Sequence, residues 1–184
     1  MSFFKASVVF LLSAVVLTSE AKAETRTPAE LLSLEGWKLT LPIDEDGKPG
    51  ADELSGPGLR SASLPGMFFL SEDRGSVVFR ARCGGAVTKG SSYPRCELRE
   101  MVDGKGAAWD VRAGVVRTME VELAVTALPK VKPHVVCAQI HDARRDILMV
   151  RLEGRKLLLE REGMDDVPLE KDYELGSFVR IAIG

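Results

Sequence analysis

The amino-acid sequence predicts an all-β protein, folded as an antiparallel β-sandwich or jelly roll. Three observations lead to this prediction. Short segments of alternating polar and apolar residues recur along most of the chain, and this period of two is typical of strands with one buried face. Glycine-rich turn sequences separate these segments, and only one segment has convincing helix signals. Many short strands with almost no helix favour two packed antiparallel sheets.

The first 23 residues have the features of a signal peptide. Lys5 precedes an apolar run from Ala6 to Ser19, and Ala21-Lys22-Ala23 matches an A-x-A cleavage site. We therefore expect an exported protein, secreted or periplasmic, with no membrane attachment after cleavage, since no second apolar run is long enough to span a bilayer. Residues 24–184, about 160 residues, fit a single domain, and we expect a monomer.

The predicted elements are one N-terminal helix followed by nine strands. The segment Thr27 to Glu30 has the T-x-x-E pattern of a capping box with proline at the first helical position, which predicts a helix that ends by Gly36. Glu153-Gly154-Arg155 predicts a tight hairpin. The predicted strands are Trp37–Leu41, Met67–Leu70, Ser76–Arg82, Arg95–Met101, Val115–Leu128, His134–His141, Ile147–Leu152, Lys156–Glu160 and Phe178–Ile183.

Charge and cysteine content restrict the partners and cofactors that we expect. The formal net charge is -2, so the strongly basic face that nucleic-acid binding requires is not indicated. Cys83, Cys96 and Cys137 are an odd number of thiols for an exported protein. A Cys83–Cys96 disulfide and free buried thiols both remain open, while Cys137 shares the strand parity of Gln139 and is expected on the same face. The motifs H-E-x-x-H and C-x-x-C are absent from the sequence, and we predict neither a metal nor an organic cofactor.

Two polar strands carry the candidate site. Arg95, Glu97 and Arg99 alternate with apolar residues and point to one face of the first strand, as Gln139 and His141 do on the second. If both strands lie in one sheet, two guanidinium groups, a carboxylate, an amide and an imidazole converge on one surface. This surface predicts a site for an anionic ligand. The glycine-rich residues 83–92 between two predicted strands are interpreted either as a mobile edge of this groove or as an ordinary connection.

Hydrogen-bond donors beside a base suit the removal of a proton α to a carboxylate. Cationic and amide donors that face the carboxylate disperse the negative charge of the carbanion and lower the barrier. A neutral histidine accepts the proton near physiological pH. Each strand also has a simpler interpretation, because cross-strand ion pairs on a solvated face and structural histidines are common. Only the combination of both strands favours a catalytic site.

The same residues resemble a known family, the polysaccharide lyase family 7 alginate lyases. Arg95 to Glu100 reads RCELRE, which is similar to the family motif R-[ST]-E-L-R-E, and Gln139 to His141 matches Q-[IV]-H. Trp37 to Pro42 resembles the opening strand of the family, and Gly84-Gly85-Ala86 with Tyr93-Pro94 resembles the approach to the arginine strand. The resemblance runs from about Trp37 to the last residue, and Cys96 departs from the usual Ser or Thr.

The resemblance implies cleavage of alginate by β-elimination, which leaves 4,5-unsaturated uronate ends. It implies that Arg95 and Gln139 neutralise the uronate carboxylate and that His141 is the base. We assign Arg99, Glu97 and Tyr93 to substrate binding, with Glu97 orienting the arginines. The expected partner is alginate or a related anionic polysaccharide.

The family's third motif, Y-F-K-A-G-x-Y-x-Q, does not occur in this sequence. We therefore expect a jelly roll that is incomplete at its C-terminus, and a proton donor that is either Tyr93 or water if the chain turns over substrate. Two other functions stay open. One is an inactive, lectin-like sandwich that binds uronates, and the other is a lyase for a different polyuronate such as glucuronan.

Overall fold

The computed structural model describes residues 26–109 and 114–184. The predicted signal peptide, residues 1–23, lies outside the described residues and stays a prediction. No helix within the described residues is both long enough and apolar enough to cross a membrane. Nearly all regular structure is antiparallel strand, and the predicted all-β sandwich of jelly-roll type is confirmed.

The described residues form the following elements in chain order. A short 3-10 helix spans Pro28–Glu30, and one short α-helix, α1, spans Gly56–Arg60. The strands are β1 Trp37–Thr40, β2 Glu53–Ser55, β3 Phe68–Leu70, β4 Val77–Phe79, β5 Glu97–Val102, β6 Lys105–Gly106, β7 Met119–Ala124, β8 His134–His141, β9 Asp146–Glu153, β10 Lys156–Arg161, β11 Val167–Glu170 and β12 Phe178–Ile183.

One sheet has the strand order β2-β1-β5-β6. β1 pairs with β5 so that Lys38 lies opposite Arg99 and Thr40 lies opposite Glu97. Leu39, between them on β1, is fully buried. Because successive side chains of a strand point to opposite faces, Lys38 and Thr40 are left on the polar face of this sheet.

The other sheet has the order β11-β10-β9-β8, and two two-stranded ribbons, β3-β4 and β7-β12, complete the structure. The β9–β10 hairpin turns at Gly154, which has a φ of 57° as a tight turn of this kind requires. Each sheet has its own core. The core beside the β2-β1-β5-β6 sheet contains Leu34, Leu39, Leu41, Leu59, Ala62 and Phe68, and the core beside the other sheet contains Val125, Val150, Leu152, Leu157, Tyr173 and Ile181.

The predicted N-terminal helix is much shorter than expected. The backbone N–H of Thr27 donates to the Glu30 carboxylate at 3.0 Å, as a capping box requires, but the helix ends at Glu30. Leu34 is buried in the core, and its carbonyl accepts the N–H of Trp37 at 3.3 Å. Burial of Leu34 through a turn replaces further helical turns, and Gly36 allows that turn with a φ of 74°.

Most predicted strands are present, although several are shorter than predicted. The bounds of β8 and β12 match to the residue, whereas the predicted strand Val115–Leu128 shrinks to Met119–Ala124 and Ser76–Arg82 shrinks to Val77–Phe79. Four elements were not predicted: β2, α1, β6 and β11. Each of these has six residues or fewer, which is too short for a periodic pattern to be recognised.

A β-bulge at Cys137 changes the phase of β8. Val136 pairs with Arg151 and Ala138 pairs with Val150, so Cys137 is the extra residue between them. Val135 before the bulge and Cys137 itself pack against the core of the β8–β11 sheet. The expectation that Cys137 shares the face of Gln139 is therefore wrong, because the bulge breaks the strict alternation on which it depended.

Candidate active site

A cleft of about 220 Å³ lies on the polar face of the β2-β1-β5-β6 sheet. β1, β2 and β5 line it from this sheet, the β4–β5 loop supplies Thr88 and Arg95, and β8 supplies His141 from the second sheet. The residues that line the cleft are Lys38, Thr40, Glu53, Thr88, Arg95, Glu97, Arg99 and His141. Four of the six predicted site residues therefore converge, although they come from segments about forty residues apart.

Glu97 connects the two polar strands. Its Oε1 accepts a hydrogen bond from Gln139 Nε2 at 2.8 Å, and its Oε2 lies 3.3 Å from Arg95 Nη1. From the sequence, we expected the two strands to meet within one sheet. β5 and β8 instead belong to different hydrogen-bonded sheets, and the contact between the Glu97 and Gln139 side chains connects them. The orienting role predicted for Glu97 is consistent with both contacts.

Arg95 lies in the β4–β5 loop, because β5 begins at Glu97 and not at Arg95 as predicted, and a residue of the same loop holds it. Its Nη2 donates to Ser91 Oγ at 2.9 Å, and Ser91 Oγ also accepts the backbone N–H of Tyr93 at 3.2 Å. The Nε of Arg95 is buried and has no hydrogen-bond partner among the described residues. A buried donor without a partner costs about 1–3 kcal/mol, so a bound anion would relieve this cost. Thr88 and Ser91 favour the interpretation of residues 83–92 as a groove edge.

Arg99 is fixed by the β5–β6 hairpin. Its Nη2 donates to the carbonyl of Ala107 at 3.1 Å. The guanidinium group lies against Gly106, where a Cβ atom would be 3.1 Å from Arg99 Nε and 3.3 Å from Nη2. Glycine at position 106 therefore leaves the space that the arginine occupies.

His141 is the candidate base. Its carbonyl accepts the N–H of Trp109 at 2.9 Å, which holds the end of β8 in place, while its ring Nε2 is buried without a partner among the described residues. Burial, followed by the positive charge of Arg99, lowers the pKa of His141 below its ordinary value, against smaller opposing effects of Asp146 and Glu97. The neutral imidazole, which is the form that accepts a proton, is favoured.

Tyr93 lies outside the cleft, although we predicted it as a substrate contact. Its side chain is well exposed, its hydroxyl accepts a hydrogen bond from Lys132 Nζ at 2.8 Å, and the same ammonium group lies 4.8 Å from the ring centroid. The other tyrosine, Tyr173, is buried in the core of the β8–β11 sheet, where its hydroxyl bonds the backbone of Val125 and Ser177. Neither phenol lines the cleft.

The three cysteines are free thiols. Cys83 is exposed beyond the end of β4, so neither the Cys83–Cys96 disulfide nor a buried Cys83 thiol is present, and Cys96 donates to the carbonyl of Met67 at 3.3 Å. The predicted strand Ser76–Arg82 ends early at Phe79, which removes Cys83 from the alternating pattern. Burial raises the pKa of Cys96 and of Cys137 to about 11. Neither buried thiol is therefore a nucleophile near neutral pH.

One group of carboxylates has a geometry that resembles a cation site. Single oxygen atoms of Asp44, Asp46 and Asp52 lie within 4.8 Å of one another in the β1–β2 loop. Asp52 already accepts the backbone N–H of Glu45 at 3.0 Å, and Asp46 pairs with Lys48 at 2.9 Å. Because these contacts account for the carboxylates as parts of a loop, we assign no metal to them.

Sequence reasoning missed several residues of the cleft. Lys38 and Thr40 share a strand face, and this alternation was visible within Trp37–Thr40. What could not be seen was the pairing of β1 with β5, which brings both residues beside the arginines. Glu53 and Ser91 carried no local signal, because one lies on a three-residue strand and the other in a glycine-rich loop.

The arrangement combines an electropositive cleft with a histidine whose lowered pKa favours its neutral form. Arg95, Arg99 and Lys38 supply three cations, whereas Glu97 and Glu53 supply two carboxylates that are already bonded to neighbours. Such a site can bind a carboxylate and accept a proton from the carbon beside it.

The chain matches the family model described as alginate lyase over residues 32–174. It is similar to an alginate lyase of Klebsiella pneumoniae, with 34% identity over 97 residues, which is 52% of this chain and 32% of that protein. The alignment thus spans about a third of the length of that relative.

Solved structures show the same likeness. Alginate lyase AlgAT5 from polysaccharide lyase family 7 is 41% identical with a TM-score of 0.74, and the match covers 86% of this chain and 71% of that one. The alginate lyase from Corynebacterium sp. is 37% identical, also with a TM-score of 0.74, over 85% of this chain and 70% of that one.

Proposed function

Because the chain belongs to the alginate lyase family, we propose that it cleaves alginate by β-elimination in the cleft between β1, β5 and β8. The observation that supports this proposal most directly is the placement in one cleft of Arg95, Arg99 and the His141 ring nitrogen that has no hydrogen-bond partner in the described part of the chain. Two segments about forty residues apart supply these groups, and a structural ion pair would not require all of them.

In the proposed reaction, Arg95 and Gln139 bind the carboxylate of the uronate whose C5 loses its proton. Gln139 uses one amide hydrogen for Glu97 and has a second one for substrate. Negative charge develops on the carboxylate as the C5 proton leaves, and preorganised donors stabilise this charge more strongly in the transition state than in the ground state.

His141 Nε2 takes the C5 proton. The electron pair of that C–H bond forms the C4–C5 double bond, and the C4–O bond to the neighbouring sugar breaks. The departing oxygen then needs a proton. We assign that proton to water, because the cleft is open to solvent and the phenol of Tyr93 is bonded to Lys132 outside the cleft. Tyr93→Phe should therefore retain turnover.

The deciding experiment follows ultraviolet absorbance while the full chain is incubated with alginate. Elimination produces a conjugated unsaturated uronate that absorbs, whereas hydrolysis of a glycosidic bond does not. Absorbance should rise with the wild-type protein, and His141→Ala should lower the rate by about 10²–10⁴-fold, the usual contribution of a general base.

The chain supplies a matched control in its second histidine. His134 pairs with Glu153 at 3.3 Å and does not line the cleft, so His134→Ala should leave the rate close to that of the wild type. A folded protein that binds alginate without any rise in absorbance would contradict the lyase function and favour a uronate-binding protein. Equal losses in both histidine variants would contradict the role of His141.

We also propose that the protein acts outside the cytoplasm on an anionic polysaccharide. The support is the signal-peptide pattern of residues 1–23 together with the cationic cleft. N-terminal sequencing of the exported protein should find Glu24 as its first residue.

A further inference from the structure

Two cations face each other directly across the floor of the cleft. Lys38 on β1 lies opposite Arg99 on β5 in the register of the sheet, and both side chains line the cleft. Directly opposite residues of an antiparallel pair have Cβ atoms about 4.5–5.5 Å apart, and like charges in such positions destabilise the sheet. The repulsion destabilises this pair of strands slightly, and an anion between the two groups would offset it.

The described residues compensate these cations only in part. Lys38 Nζ lies 2.7 Å from the Glu53 carboxylate, whereas Arg99 donates to the neutral carbonyl of Ala107. The ion pair is accessible, since the side chain of Lys38 is 26% exposed and that of Glu53 is 44% exposed. An exposed pair of this kind contributes about 0–1 kcal/mol, so a ligand carboxylate can replace Glu53 at little cost.

The position of the two cations relative to the reacting group is set by the strands. Thr40 and Glu97 form the neighbouring cross-strand pair of the same face, two residues later on β1 and two residues earlier on β5. Two residues of a strand span roughly 6–7 Å. Lys38 and Arg99 are therefore displaced by that distance from the place where Glu97 holds Arg95 and Gln139.

We propose that Lys38 and Arg99 together bind a second carboxylate, that of the uronate next in the polymer to the one held by Arg95 and Gln139, and that Glu53 is the exchangeable counterion of Lys38. This inference rests on the proposed function, because it takes a polyuronate as the ligand. It adds Lys38 and Glu53 as residues that select for consecutive uronates. A chain with isolated carboxylates leaves the second position unfilled.

The test is calorimetric binding in the His141→Ala background, which prevents turnover, with a tetrameric oligouronate and a single uronate as probes. Lys38→Gln should weaken tetramer binding about tenfold, or about 1.4 kcal/mol, and leave binding of the single uronate unchanged. Lys48→Gln is the matched control, because Lys48 makes a similar ion pair with Asp46 at 2.9 Å outside the cleft. This control should not change affinity for either probe.

The proposed role of Glu53 as counterion predicts that its substitution changes tetramer affinity in the opposite direction to substitution of Lys38. Glu53→Gln should tighten tetramer binding about two- to fivefold, because Lys38 no longer has a competing carboxylate, and this gain should disappear in the Lys38→Gln background. Such non-additivity is expected only for residues that interact. Circular dichroism of each variant checks that the fold is retained.

An unchanged tetramer affinity in Lys38→Gln would overturn the proposal, as would a Glu53→Gln variant that binds the tetramer more weakly. These outcomes are separate from a failure of the lyase function. If the wild-type protein turns over alginate but Lys38→Gln does not change tetramer binding, only the second carboxylate site is contradicted. If the wild-type protein shows no turnover but Lys38→Gln still weakens tetramer binding, only the lyase function is contradicted.

Discussion

The pKa of His141 decides the pH range in which the proposed base can act. Burial and the charge of Arg99 both favour the neutral ring, so proton uptake by His141 requires a pH below its ordinary pKa of about 6.5. The acid limb of kcat/KM should therefore lie below that value, since it reports the ionisation of the free enzyme.

The same shift predicts how stability depends on pH. A histidine with a lowered pKa in the folded state binds fewer protons than in the unfolded state between the two pKa values, so stability falls as the pH drops from about 6.5 through the folded pKa. An NMR titration of the His141 ring should give a pKa below 6.5, and Arg99→Gln should raise it. The chain has two histidines, and a His134→Gln variant assigns the signals. A pKa at or above 6.5 would contradict this reasoning.

At the scale of elements, the β5–β6 hairpin should control substrate binding through Gly106. A Cβ atom at position 106 would lie 3.1 Å from Arg99 Nε, and Gly106 does not have a positive φ, so Gly106→Ala introduces contact without backbone strain. We expect the guanidinium group to move and oligouronate affinity to fall several-fold, with the fold retained. Gly58→Ala is the control, because a Cβ atom there meets nothing within 4 Å. Equal affinities of the two variants, measured by calorimetry, would exclude this role for Gly106.

An element could be predicted from the sequence when the residue pattern that defines it lies within the element itself, and not when it depends on pairing with a distant strand. β8 was predicted to the residue because alternation within eight residues defined it, and it correctly placed Gln139 and His141 on one face. The bulge at Cys137 was not predictable, since it exists only relative to the register of β9. Lys38 and Glu53 were missed for the same reason: their place in the cleft depends on the pairing of β1 with β2 and β5.

At the scale of the whole molecule, each sheet is supported by its own core, and the contact between Glu97 and Gln139 joins the sheets at the cleft. Leu39 and Leu152 are fully buried, one in each core. Replacing a buried leucine by alanine typically costs 2–5 kcal/mol. If the two sheets unfold together, Leu39→Ala and Leu152→Ala should each lower the midpoint of one shared transition.

Urea unfolding measured by tryptophan fluorescence and by circular dichroism tests this cooperativity. The fluorescence signal comes from Trp37, which packs on the core beside β1, and from Trp109, whereas circular dichroism reports both sheets. Coincident curves in both variants are expected. Curves that separate in Leu152→Ala would mean that the β8–β11 sheet unfolds independently.

The bulge at Cys137 makes strand β8 tolerant of two kinds of genetic change at that position. A substitution at position 137 alters only a partly buried side chain in the core of its sheet. Deletion of the same codon would remove the one residue of the bulge that has no partner on β9, so Val136 and Ala138 would become neighbours and each would keep its partner. Val135 and Ala138 both pack against the core, so Gln139 would stay on the opposite face. In a strand without a bulge, loss of one residue would turn every later side chain to the other face, whereas here the proposed base would still face the cleft.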